Sequence, residues 1–271
     1  MENRSTALEE EKKPGFIDGL LNRTRTFLDQ TGKVSVFAGQ AIKEALWPPY
    51  EFLELMRQCY FVGNLSLPLV AITALIMGLV FTLQSHPTLA KFGAESWLPA
   101  MVSVAMLREI APVITALICA GKVGSGMGAE LASMRVTEQI DAMEVAGNKP
   151  MKYVVATRVL AVTIMVPMLV IFADAISILG SFIGVSFSDH TSFTLFFNHV
   201  FNAVDFIDFL PAVIKSFFFG FAIGIISCYK GYTSNSGTAG VGVAANESVV
   251  VASLSIFIID MIAVQVTNFF M

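Results

Sequence analysis

The stretch 64–84 holds no formally charged residue, and that constrains this chain more than any other feature. At about 1.5 Å per residue, a helix of that length crosses a hydrocarbon layer of roughly 30 Å. Four more predominantly apolar blocks follow, at 97–120, 159–184, 209–229 and 248–271. Only a helix or a closed barrel satisfies its own backbone inside hydrocarbon, so blocks of this length read as spanning helices. Of the 271 residues, 55% are hydrophobic and 14% charged. Ordinary soluble domains carry roughly 25% charge. Mean hydropathy is +0.70, too apolar for one soluble core of this size. The expected fold class is an all-α polytopic membrane protein, with an N-terminal interfacial amphipathic helix plus five transmembrane helices.

The first 15 residues are polar and are expected to form a disordered cytoplasmic tail. Residues 16–47 have helical periodicity. Phe16, Ile17, Leu20, Leu21, Phe27, Leu28 and Val34 share one face, and Arg23, Arg25, Lys33 and Lys43 decorate the rest. That pattern predicts a helix lying in the membrane interface with its basic side toward headgroups. Pro48 and Pro49 then redirect the chain, and 51–61 reads as a short lead-in helix. The three cysteines, Cys59, Cys119 and Cys228, are too far apart for a zinc or disulfide framework and read as small hydrophobes.

Basic residues orient the spans. Eight Lys or Arg precede Asn64, and Lys122, Arg135, Lys149, Lys152 and Arg158 fall between spans two and three. Lys230 lies in the 4–5 loop. The 1–2 loop has only Lys91, and the Phe-rich 3–4 loop has none but carries Asp189, Asp205 and Asp208. The positive-inside bias therefore predicts a cytoplasmic N-terminus and a C-terminus on the outer side.

The spans carry a few charges. Arg108 and Glu109 sit near the middle of the second. As neighbours on a helix they point about 100° apart and cannot pair face to face, so at least one must reach another helix or a cavity. Lys215 lies near the outer end of the fourth span and reads as a snorkelling side chain. Asp174 and Asp260 lie deeper, suited to helix contacts or to relaying protons. Gly220 and Gly224, spaced GxxxG, are candidates for close helix packing.

Between spans two and three, Gly121, Gly124, Gly126 and Gly128 lack the closing Gly-Lys-Ser/Thr of a phosphate loop and read as a tight turn. Residues 130–147 read as a cytoplasmic helix. Leu131, Met134, Ile140 and Met143 form its apolar side, Glu138, Asp141 and Glu144 its acidic side, and Gly147 and Pro150 its stop. It is either a docking surface for a partner or an ordinary loop helix.

Several of these motifs together resemble one family. The runs Leu107-Arg108-Glu109-Ile110-Ala111-Pro112-Val113, Ala120-Gly121, Ala129-Glu130-Leu131 and Met134-Arg135-Val136-Thr137-Glu138-Gln139-Ile140-Asp141-Ala142-Met143, with the late Asn235-Ser236-Gly237-Thr238-Ala239-Gly240-Val241-Gly242, are similar to the MlaE/YrbE permeases. The resemblance covers nearly all of the chain from the interfacial helix onward, and makes 48–271 an MlaE-like permease domain. The charged N-terminal extension and Ser85-His86-Pro87-Thr88 depart from the family pattern.

The resemblance implies a multi-pass protein of the bacterial inner membrane that works as a homodimer on two ABC ATPase subunits. A periplasmic hexamer of MCE-domain proteins sits on its outer side, and in some systems a small STAS-domain protein binds the ATPase. Such systems move phospholipid between the inner and outer membranes. The permease itself is not an enzyme and holds no cofactor or metal. ATP and Mg belong to the partner ATPase, and no nucleic acid is involved. By the same resemblance, Arg108 and Glu109 lie at or near the central lipid cavity, and Leu75, Leu79 and Leu83 of the first span help line an apolar cavity at the dimer interface. Glu130, Met134, Arg135, Glu138, Asp141 and Met143 belong to the ATPase-coupling segment, with Glu138 the leading polar anchor. Two alternatives remain: an ion-driven secondary transporter using Glu109, Asp174 and Asp260, and a non-catalytic membrane scaffold. His86, His190 and His199 read as loop histidines, not ligands.

Overall fold

The protein's architecture comes from a computed structural model, which describes residues 16–48, 51–189, 191–234 and 237–270. The expected tail at 1–15, His190 and the Asn235-Ser236 pair lie outside the described residues. Among the described residues there is no β-strand. The helices are α1 (Phe16–Leu46), α2 (Phe52–Lys91), α3 (Glu95–Val136) and α4 (Gln139–Val145), then α5 (Thr157–Asp189), α6 (Phe193–Ala203), α7 (Phe206–Tyr232) and α8 (Gly237–Phe270). A π-helical turn, Met151–Ala156, leads into α5.

Five of these, α2, α3, α5 with its lead-in turn, α7 and α8, are long and apolar enough to cross a membrane. The chain is a multi-pass membrane protein. The lead-in expected at 51–61 is not a separate helix, because it runs unbroken into α2, a 40-residue helix with Pro68 and Pro87 inside it. His86 is consequently helical, and so is His199 within α6.

The long helices form a row, α2 against α5, α5 against α7, α7 against α8, with α3 crossing behind them. Small residues allow the closest approaches. A Cβ on Gly78 of α2 would stand 2.0 Å from the Ser177 carbonyl of α5, and one on Gly180 would stand 2.2 Å from the Leu75 carbonyl. Hydrocarbon gives helices no hydrophobic drive to associate, so backbone proximity and packing carry the contact. The structure sets Gly220 and Gly224 against Val162, Thr163 and Val159 of α5.

The main apolar cluster gathers Phe219 and Ile223 of α7, Val162 and Val166 of α5, Cys119 of α3 and Ile256 of α8. Phe37 of α1 joins it, its ring 5.5 Å from Tyr229. A second cluster forms where the Phe-rich 3–4 connection folds into α6. Phe196 and Val200 are buried against Leu98, Val102 and Met106 of α3, while Phe201 stays exposed.

The expected tight turn at Gly121–Gly128 is helix. α3 continues through it, with a π-helical turn at Ala120–Gly124. Two of its glycines serve packing: a Cβ on Gly128 would meet the Ser248 hydroxyl of α8, and one on Gly124 the Ser227 hydroxyl of α7. The helix expected at 130–147 is two helices. α3 ends at Val136, Thr137 bonds back to the Ser133 carbonyl, and Glu138 takes a left-handed φ of 58° before α4 begins. Glu138 is the only non-glycine with positive φ among the described residues.

Candidate functional site

A second π-helical turn of α3, Met106–Ile110, contains Arg108 and Glu109. Turns of this kind recur at functional sites because they redirect side chains. Here both side chains reach α7. Arg108 donates from Nε and one terminal nitrogen to Oδ1 of Asp208. Glu109 accepts from Lys215 at 2.7 Å. Asp208 and Lys215 are seven residues apart, two turns along one face of α7.

Each partner is held in turn. Asp208 lies in the first turn of α7, where its Oδ2 accepts the Asp205 backbone N–H at 3.0 Å, a capping arrangement that fixes the carboxylate. Lys215 donates a second time, to Asp260 of α8 at 2.9 Å. Three spans are thus joined by one lysine. Lys215 is 4% exposed, so the snorkelling reading is wrong. Two carboxylates draw its ammonium inward, and a paired buried charge costs less than an isolated one. Asp174 of α5 completes the group. It too is 4% exposed, and neither of its oxygens has a hydrogen-bond partner.

Arg108, Glu109, Asp208 and Lys215 line a small polar pocket of about 40 Å³. It shares Ile207, Pro211, Lys215, Ala263 and Thr267 with an apolar groove of about 700 Å³ between α7 and α8. Leu210, Ile214 and Phe218 wall the groove from α7, and Ile259, Ile262 and Val266 from α8. Charge at one end and hydrocarbon along the rest make the groove amphipathic.

The sequence candidates fall in different places. Arg108 and Glu109 are in the pocket. Leu75, Leu79 and Leu83 are on α2, at the other end of the helix row, and line neither cavity. Asp208 and Lys215 were not among the site candidates, and Asp260 was named only for helix contacts or an ion-driven alternative. The signal that could have found them is the seven-residue spacing of opposite charges at 208 and 215 in a helix already read as apolar.

At the far end of the bundle, Glu130 of α3 accepts from Arg158 at 2.8 Å, and Arg158 also donates to the Val154 carbonyl. Arg135 bridges the break to Asp141 at 2.5 Å. Met134 and Met143 pack against the main core, whereas Glu138 is exposed at the break. Val145, at the end of α4, is 90% exposed.

Among the described residues no group of three or more His, Cys, Asp or Glu is placed to hold a metal ion. The spans, the amphipathic groove and the exposed α4 define a membrane transport subunit. The model of the permease MlaE family matches residues 55–266. The chain is 40% identical over 237 residues to a probable ABC transporter permease protein of Rickettsia felis, covering 87% of this chain and 91% of that one. Probable ABC transporter permease proteins of Pyropia yezoensis (39% over 209 residues, 77% of this chain and 79% of that one) and Synechocystis (36% over 203 residues, 75% and 77%) are similar as well. This chain belongs to the MlaE family of ABC-transporter permeases. It is a non-catalytic transport subunit.

Proposed function

We propose that the chain is the permease of an ATP-driven phospholipid transporter and works as a homodimer in the bacterial inner membrane. The observation that carries the reading is the continuity of an ion-paired pocket with a 700 Å³ apolar groove in a membrane-spanning chain. A diacyl lipid needs both surfaces. Each CH₂ kept from water contributes about 0.8 kcal/mol, so acyl chains seated along Ile214, Phe218 and Ile262 leave the headgroup at Arg108 and Glu109. α8 is exposed along most of its length, which leaves a second copy room to close the groove from the open side.

Orientation follows from charge. Arg135, Lys149, Lys152 and Lys230 gather at the α4 end, and Asp205 and Asp208 at the other. The α4 end therefore faces the cytoplasm and the C-terminus faces the periplasm, where a hexamer of MCE-domain proteins receives or delivers lipid. α4 docks on the ABC ATPases, one per permease copy, with Glu138 as a polar anchor and Val145 as an apolar one. ATP and Mg act on those partners, which a STAS-domain protein joins in some systems. Closure of the ATPases pushes α4, and α3 carries the motion in one continuous helix to the turn that holds Arg108 and Glu109.

The test is Glu138→Lys in the co-expressed complex. The variant is expected to insert at the wild-type level while losing ATPase co-purification and lipid transfer. Undiminished association and transfer would refute the coupling role. Transfer that persists without any ATPase and follows an ion gradient would refute the ATP-driven reading.

A further inference from the structure

We infer that the polar pocket selects phospholipids with a primary ammonium headgroup, of the phosphatidylethanolamine class, over choline and net-anionic headgroups. The inference rests on the lipid-permease reading and narrows its substrate.

Three observations lead there. First, the two groups left open to a ligand have opposite sign. Arg108 keeps 43% of its side chain exposed and Glu109 keeps 46%, whereas their partners Asp208 and Lys215 are each 5% exposed. A headgroup entering from the groove meets one cation and one carboxylate. The α7 partners of these groups stand about 10 Å apart along the helix axis. Arg108 and Glu109 sit on one π-helical turn and both line the pocket, so a headgroup seated there meets Arg108 with its phosphate and Glu109 with its amine.

Second, the ion-paired set carries excess negative charge. Arg108 and Lys215 face Asp208, Glu109 and Asp260, two cations against three carboxylates. In a low-dielectric site an excess carboxylate favours a ligand that brings a positive charge and opposes one that brings only an anion. A zwitterion with an exposed ammonium fits, and a phosphatidylglycerol headgroup does not.

Third, no aromatic side chain lines the polar pocket. Quaternary ammonium groups are recognised by aromatic faces because they have no N–H to donate. Glu109 offers acceptor oxygens instead, which suit the N–H donors of a primary ammonium. The pocket is also small, about 40 Å³, which suits a compact group better than a trimethylated one.

The experiment loads the purified full-length protein with an equimolar mixture of phosphatidylethanolamine, its mono- and dimethylated forms, phosphatidylcholine and phosphatidylglycerol, all with the same acyl chains. Retained lipid is then quantified by mass spectrometry. The expected result is enrichment of phosphatidylethanolamine over phosphatidylcholine by roughly tenfold, the weight of one charge-assisted hydrogen bond. Retention falls stepwise with each methyl group, and phosphatidylglycerol is depleted. Glu109→Gln, which leaves Lys215 paired with Asp260, is expected to flatten the series, with phosphatidylethanolamine falling toward the level of phosphatidylcholine. A flat series in the wild-type protein with lipid fully retained overturns the headgroup selectivity and leaves the permease reading standing. Enrichment of phosphatidylcholine or phosphatidylglycerol overturns it equally. No retained lipid of any class overturns both. The methylation series needs no variant, so a folding defect in Glu109→Gln does not spare the proposal.

Discussion

Lys215 shows how little of a polar site is written locally. Apart from Ser216 its neighbours in the sequence are apolar, and its distance from the helix end suggested an escape to the membrane surface. Its partners lie 106 residues upstream and 45 residues downstream. Arg108 finds Asp208 across 100 residues. Charges inside an apolar run announce themselves, which is why Arg108 and Glu109 were legible. Pairings across helices depend on rotation and register that no single segment encodes. Lys215→Met removes the only ammonium between Glu109 and Asp260. Breaking a buried pair in this way is expected to cost about 3–5 kcal/mol, read as a fall in the thermal midpoint of the detergent-purified protein. Lys215→Met combined with Glu109→Gln and Asp260→Asn removes all three charges and is expected to recover most of that loss. A single variant as stable as wild type would show that the network contributes nothing to the fold.

At the scale of the element, the apolar runs were read correctly as helices and their ends were not. α2 and α3 extend well past the apolar runs that marked them, because helices continue through polar residues once they leave hydrocarbon. The glycines at 121–128 suggested a turn because glycine weakens an isolated helix. Here α3 keeps its helix through them, and the space at Gly128 and Gly124 admits Ser248 of α8 and Ser227 of α7. The break at Glu138 has no glycine or proline to signal it. A left-handed non-glycine residue costs roughly 1–2 kcal/mol, and the surrounding helices impose it. Gly180 offers a direct test of element packing. Gly180→Leu puts its side chain into the Leu75 backbone, and overpacking of that kind costs about 1–3 kcal/mol. A lower thermal midpoint and faster proteolysis between α2 and α5 are expected. Gly121→Leu, where a Cβ meets nothing within 4 Å, is expected to change neither.

Across the whole molecule, hydrophobicity settled the class of fold, and the ordered motifs settled the family. The distribution of surfaces took three dimensions to see. The apolar residues Leu75, Leu79 and Leu83 lie on α2, which packs on α3 through Ala74 and Ala111, but they do not line the pocket that holds Arg108 and Glu109. The open groove beside those charges in the single chain is made by α7 and α8. A periodic apolar face looks the same in sequence whether it meets bulk lipid, another helix or a bound substrate. Only adjacency to the ion-paired pocket distinguishes the α7–α8 face. Photolabelling measures that adjacency directly. A phospholipid carrying a diazirine near the middle of one acyl chain is bound to the protein in detergent, excess lipid is washed away, and adducts are mapped by mass spectrometry. Adducts concentrated at Leu210, Ile214, Phe218, Ile262 and Val266 are predicted. Labelling spread evenly over every exposed apolar face, with Leu53 and Ile72 of α2 modified as heavily as Ile262, would contradict a lipid seat between α7 and α8.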